Sequence, residues 1–153
     1  RTGGRGGGGH TAGLNRGNPA SGSYVLQLSG ADDVTVSHLA LTGGYAGVWL
    51  GDNAGVDGFQ LESSEVYGNG DYGVYVGPSN LGVVLGGNSI YQNGVHEIYV
   101  NDSGGVRVVG NEVWGNTNAY RYAMFVQGVA EVLNNRVHDN AGGASRPARV
   151  RYG

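Results

Sequence analysis

Short apolar triplets with a polar or aromatic centre recur along this chain. One set is Leu26-Gln27-Leu28, Val48-Trp49-Leu50, Val74-Tyr75-Val76, Ile98-Tyr99-Val100 and Met124-Phe125-Val126. A second set is Val34-Thr35-Val36, Phe59-Gln60-Leu61, Val83-Val84-Leu85, Val106-Arg107-Val108 and Ala130-Glu131-Val132. Each alternates as a strand with one buried face should. A third segment carries one aliphatic residue between asparagines or small residues. Its copies are Ser64-Glu65-Val66-Tyr67-Gly68-Asn69, Asn88-Ser89-Ile90-Tyr91-Gln92-Asn93, Asn111-Glu112-Val113-Trp114-Gly115-Asn116 and Asn135-Arg136-Val137-His138-Asp139-Asn140, with a fainter one at Leu39–Gly44. The aliphatic centres Leu41, Val66, Ile90, Val113 and Val137 are spaced by 25, 24, 23 and 24 residues. A period this regular is the signature of a solenoid.

Each period holds three short strands separated by Gly, Asn, Asp and Ser, residues that turn the chain or bond their own backbone. No consistent two-residue turn joins the strands, so hairpins are excluded. Stacking one period on the next lets each strand pair in parallel with its equivalent, about 4.8 Å away. The predicted fold is all-β, a parallel β-helix of about five to six coils with three short strands per coil; five coils span roughly 24 Å. Residues 24–140 form the helix. Residues 1–23 read as a Gly-rich segment with an incomplete coil, and residues 141–153 as an Arg-containing segment starting a further coil. Asn69, Asn93, Asn116 and Asn140 recur at one turn and are predicted to stack as a structural ladder of carboxamides.

The asparagine-flanked aliphatic segment, followed a few residues later by Gly and an alternating Val/Ile triplet, resembles the right-handed parallel β-helix repeat. The resemblance covers about residues 24–140. That family includes pectate lyases, polygalacturonases, mannuronan C5-epimerases, phage tailspikes and bacterial surface proteins. The resemblance implies a fold and leaves the chemistry open. Polygalacturonases carry Asn-Thr-Asp, Asp-Asp, Gly-His-Gly and Arg-Ile-Lys motifs; here Asp32-Asp33 stands alone and Gly9-His10 lacks the second Gly. The Asp-Pro-His motif of alginate epimerases is absent. The turn acids Asp32, Asp33, Asp52 and Asp102 are scattered, unlike the calcium cluster of pectate lyases.

Composition narrows the chemistry further. The chain has 153 residues, 39% of them hydrophobic, with 32 Gly and no Cys. Disulfides and thiolate metal sites are therefore excluded. All nine basic residues are Arg, which excludes a catalytic Lys or a P-loop; the Gly6–Gly9 run also lacks that loop's ending. Arg1, Arg5, Arg16 and Arg146, Arg149, Arg151 flank a middle that holds all 12 acids. An acidic body argues against nucleic acid as a partner. Basic ends and an acidic middle suit contacts between copies of the chain. No run of about 18 apolar residues exists, so no membrane-inserted helix is expected. The chain opens Arg1-Thr2-Gly3-Gly4 and stops within Ala148–Gly153, as a processed chain or a piece of a longer one would.

Two outward columns are aromatic. One holds Trp49, Tyr75, Tyr99 and Phe125 after Gln27; the other holds Tyr67, Tyr91 and Trp114, between Thr42 and His138. The core does not need them, and exposed apolar stripes mark contact surfaces, for a protein neighbour or for sugar rings. Beside the first column fall His96, Glu97, Arg121 and Tyr122, in segments also containing Asp71-Tyr72. These are the group types of polysaccharide lyases and epimerases: Arg for a uronate carboxylate, His or Tyr for the proton. Asn101-Asp102-Ser103 is the one N-glycosylation sequon. No metal or cofactor is expected. The leading expectation is an extracellular or cell-surface structural rod that stacks end to end on itself. The alternative is a carbohydrate-active or carbohydrate-binding β-helix for acidic polysaccharide.

Overall fold

A computed structural model describes residues 12–143, together with the backbone of 145–151. The Gly6–Gly9 run, His10, Arg1 and Arg5 lie outside the described residues, as do the side chains of Arg146, Arg149 and Arg151. All regular elements among the described residues are strands, and every pairing between them is parallel.

The strands stack on three faces. The first face holds β2 (Tyr24–Leu28), β5 (Ala46–Leu50), β8 (Tyr72–Val76), the start of β11 (His96–Val109), the start of β13 (Met124–Leu133) and β15 (Ser145–Arg151). On the second lie β3 (Thr35–Ser37), β6 (Gln60–Glu62), β9 (Val84–Gly86) and the ends of β11 and β13. The third is a six-stranded sheet of β1 (Ala12–Asn15), β4 (Leu39–Thr42), β7 (Glu65–Tyr67), β10 (Ser89–Tyr91), β12 (Glu112–Trp114) and β14 (Arg136–His138). Chain order runs through the three faces in turn, coil after coil.

The register is that of the sequence repeat. Leu41, Val66, Ile90, Val113 and Val137 align on the third face. Leu26, Val48, Val74, Ile98 and Met124 align on the first. These columns point inward with Phe59, Leu61, Leu85, Val106 and Val108 to form one apolar core. Burying each such side chain stabilises by about 1.5–3 kcal/mol. A column shared between coils lets few apolar residues per period suffice.

One departure from the expected short strands concerns β11 and β13. They run 14 and 10 residues, through the corner between the first two faces. The turn residues Ser103 and Gly104 pair in register with Gly128 and Val129, with shifts on either side. Two stacked turns of matching shape keep their backbone ladder, so a polar turn sequence does not end the pairing.

The corners repeat too. Between the second and third faces one residue per coil takes a left-handed conformation: His38, Ser63, Gly87, Gly110 and Asn134, with φ from 46° to 66°. Each donates its N–H to the next coil where one follows, as from Gly87 to the Val109 carbonyl at 3.0 Å. Glycine adopts this conformation freely, and asparagine visits it more readily than most other residues.

The ladder Asn69, Asn93, Asn116 and Asn140 occupies the corner between the third and first faces. Asn69 N donates to Asn93 Oδ1 at 3.1 Å and Asn116 N to Asn140 Oδ1 at 3.0 Å. A second ladder, not anticipated from sequence, runs through Asn88, Asn111 and Asn135. Asn88 N and Nδ2 donate to Asn111 Oδ1 at 2.9 and 3.0 Å, and Asn111 N and Nδ2 to Asn135 Oδ1 at 2.9 Å each.

Candidate functional surface

The aromatic columns form as the register dictates, yet they are not open stripes. On the first face Tyr24, Trp49, Tyr75, Tyr99 and Phe125 stack ring on ring. Successive centroids lie 4.6, 4.0, 5.3 and 4.8 Å apart, with interplanar angles of 14° or less. The coil spacing is close to a ring-stacking distance, so each ring's faces are consumed by its neighbours. A second layer of Tyr45, Tyr72 and His96 packs alongside, Tyr72 meeting Tyr75 and Tyr99 edge-on at 5.2 and 5.6 Å. Tyr75 is left only 9% exposed. The expectation of an exposed stripe here is corrected: this face presents ring edges and hydroxyls. Tyr24 and Tyr45 were not anticipated in the cluster. Tyr24 has a readable signal, since it precedes Leu26 by the two residues that separate Tyr72 from Val74.

The third face repeats the arrangement more openly. Tyr67, Tyr91, Trp114 and His138 stack at 5.1, 4.4 and 6.0 Å, all within 12° of parallel. Carboxylates tie down the phenols. Tyr75 Oη donates to Asp52 Oδ1 at 2.7 Å and Tyr91 Oη to Glu65 Oε2 at 3.2 Å. Burial first, then the bonded carboxylate, raises the Tyr75 and Tyr45 phenols well above the usual tyrosine range; Asp71 is the partner of Tyr45. Burial and Glu65 push Tyr91 up to about 12. His138 sits between Asp139 at 2.8 Å and Glu112 at 3.0 Å, and its pKa is raised by those bonds in that order.

The four candidate catalytic residues are brought near one another and then separated by direction. His96 faces outward, under the aromatic layer, and is 4% exposed. Its Nδ1 donates to the Tyr122 carbonyl at 2.5 Å. Burial lowers its pKa, against the opposing Tyr122 carbonyl bond. Glu97 points the other way, into the coil, and is fully buried. Asn93 N donates to both its carboxylate oxygens at 3.2 Å, and Asn93 Nδ2 also bonds it. His96 and Glu97 are therefore both buried, on opposite sides of the strand. Successive residues of a strand face opposite sides of the backbone, and these two are successive in β11. Arg121 is exposed and Tyr122 half-buried. Asp71 and Arg121 both lie near enough to bear on the charge of His96, whereas Glu97, turned into the coil, takes no part with them.

A shallow groove of about 420 Å³ follows the corner between the aromatic faces, lined by Pro19, Gly68, Asn69, Gly70, Gln92, Asn93, Gly94, Gly115 and Thr117. It contains no ionisable side chain. Asn101 is half-buried, and the hydroxyl of its sequon partner Ser103 is buried on the Gly77 carbonyl at 2.6 Å. No group of three or more His, Asp or Glu able to hold a metal occurs among the described residues.

A three-faced stack of parallel strands around one apolar column, with asparagine ladders at two corners, defines a parallel β-solenoid. The chain matches the family described as right-handed beta helix region over residues 21–146, and it belongs to that family. No match was found among curated proteins or among solved structures.

Proposed function

We propose that this chain is a structural β-helix, a stiff segment of an extracellular rod that lengthens by stacking its terminal coils on further copies. The observation that carries this reading is the engagement of its chemical groups. Ring faces are spent on neighbouring rings, Glu97 on the asparagine ladder, and His96 on a backbone carbonyl. An enzyme leaves such groups free to meet substrate. The outermost third-face strands β1 and β14 each pair on one side only among the described residues. Unpaired strand edges with matching coil shape invite a further coil.

Size-exclusion chromatography and electron microscopy of the isolated chain test this. Fibres or large species are expected, with no turnover of alginate, pectin or glycosaminoglycan. A stable monomer that cleaves or epimerises such a polymer overturns it.

A second reading, binding of acidic polysaccharide, draws on the loop after Asn116. Tyr120 there is 95% exposed, beside the exposed Arg121. It is the most exposed ring among the described aromatics, and Arg121 suits a carboxylate. Loss of glycan binding on Tyr120→Ala, with Trp49→Ala disturbing only stability, would favour that reading over the first.

A further inference from the structure

Each regular step of the first ladder places an asparagine amide of one coil over a glycine of the coil before. A Cβ built on Gly47 would lie 3.0 Å from Asn69 Nδ2, and one on Gly73 would lie 2.8 Å from Asn93 Nδ2. Glu97 is the next residue in that row: it aligns with Gly73, as Gly73 does with Gly47. A side chain at 97 thus takes the space where the Asn116 amide would otherwise sit.

Asn116 has moved accordingly. Its Oδ1 accepts the Asn118 N–H at 2.9 Å rather than the N–H of Asn93, and its Nδ2 donates to the Val95 carbonyl at 3.1 Å. Asn93 N turns to Glu97 instead. The ladder resumes from Asn116 to Asn140. The reason lies in loop length. Five residues carry the chain from Asn69 to Val74 and from Asn93 to Ile98, whereas eight carry it from Asn116 to Met124. The additional residues form the loop that displays Tyr120 and Arg121.

We infer that Glu97 is a titratable joint in the asparagine ladder, inserted where the enlarged 117–122 loop displaces Asn116, so that the grip between these two coils and the seating of that loop change with its protonation. The groups facing the carboxyl are amides, from Asn93 and Asn116. No charged group faces it from β8, β10, β13 or the loop; Asp71, His96 and Arg121 lie on the outer side, where they act on one another. An ionised carboxylate there has hydrogen bonds but no counter-charge, and burial outweighs those bonds. Its pKa is pushed up to about 7. Because the folded value exceeds the unfolded one, folding takes up a proton. The contribution is complete below the ordinary carboxylate range and is lost as pH rises through about 7.

Stability of the wild type and of Glu97→Gln is measured by denaturant melts across a pH series. Gln keeps the shape and a carbonyl acceptor but does not titrate, and the histidines are common to both proteins. The wild-type folding constant should fall, relative to the variant, by on the order of 100-fold between about pH 4 and pH 8. Amide exchange in residues 117–122, corrected for its intrinsic pH dependence, should accelerate over the same range in the wild type alone. Parallel stability profiles for the two proteins overturn the inference. If the variant fails to fold, the carboxyl carbon resonance of Glu97 in the wild type decides: a midpoint near neutrality supports it, and one in the ordinary carboxylate range overturns it.

Discussion

Replacing Asn111 with Ala removes the centre of the second ladder, and the structure sets the cost. Asn111 is 1% exposed. Its Oδ1 accepts from Asn88 N and Asn88 Nδ2, and its Nδ2 donates to the Leu85 carbonyl at 2.8 Å and to Asn135 Oδ1. The partners do not lose equally. Asn88 Nδ2 keeps the Leu61 carbonyl at 2.8 Å, and Asn135 Oδ1 keeps the Asn111 backbone N–H. The Asn88 N–H is left with nothing. Orphaning that buried donor costs about 1–3 kcal/mol, and each of the three other lost bonds about 0.5–1.5 kcal/mol. The total is roughly 2.5–7.5 kcal/mol, a large part of the 5–15 kcal/mol typical of a domain. At about 2–4 °C per kcal/mol, the thermal midpoint should drop by roughly 5–30 °C. Asn140→Ala is the internal control. It removes the acceptor for Asn116 N at 3.0 Å and the donor to the Val113 and His138 carbonyls at 3.3 and 2.8 Å, all at part-buried sites where water can substitute. That variant should lose about 1 kcal/mol. Melts followed by circular dichroism measure both. If Asn111→Ala melts with the wild type, or if Asn140→Ala costs as much, the buried ladder is not what holds the coils in register.

Other outcomes follow from the same geometry. Gly94→Ala should destabilise severely, because a Cβ there would lie 1.9 Å from the Gly70 carbonyl oxygen in the stacked coil, while Gly13→Ala, which meets nothing within 4 Å, should be neutral or slightly stabilising in the same melts. Tyr75→Phe should cost about 1 kcal/mol through loss of the Asp52 bond, leaving the ring stack intact by near-ultraviolet dichroism. In an alkaline titration followed by tyrosinate absorbance, Tyr45, Tyr72, Tyr75 and Tyr91 should ionise above the usual tyrosine range. Their folded values exceed the unfolded one, so their stabilisation is present below the ordinary tyrosine pKa and is lost as pH rises through the folded values.

Much of the architecture was legible because the repeat enforces it. A column such as Val48, Val74 and Ile98 is both a sequence pattern and a spatial stack, since parallel pairing one coil apart converts period into neighbourhood. The ladder at Asn69 and Asn93 was legible for the same reason. The ladder at Asn88 and Asn111 carries an equal signal, in the same repeat. The aromatic columns were placed correctly and their exposure was not. Whether a stacked ring shows its face or its edge depends on the orientation of its neighbours, and on flanking rings such as Tyr45 that stand outside the strands.

The sequence by itself determined the coil, the register and the residues of the core, because those depend on which positions recur. Only the tertiary structure decided what Glu97 and His96 do. Neighbouring residues on a strand would be read as one outward and one inward, or as a solvated pair, and nothing local says that both are buried. That outcome arises from an enlarged loop in the following coil, which displaces Asn116 and opens a space that a carboxyl group fills. The period sets what every coil shares, whereas a departure in one coil acts through its contact with the next, and that contact exists only once the coils are stacked.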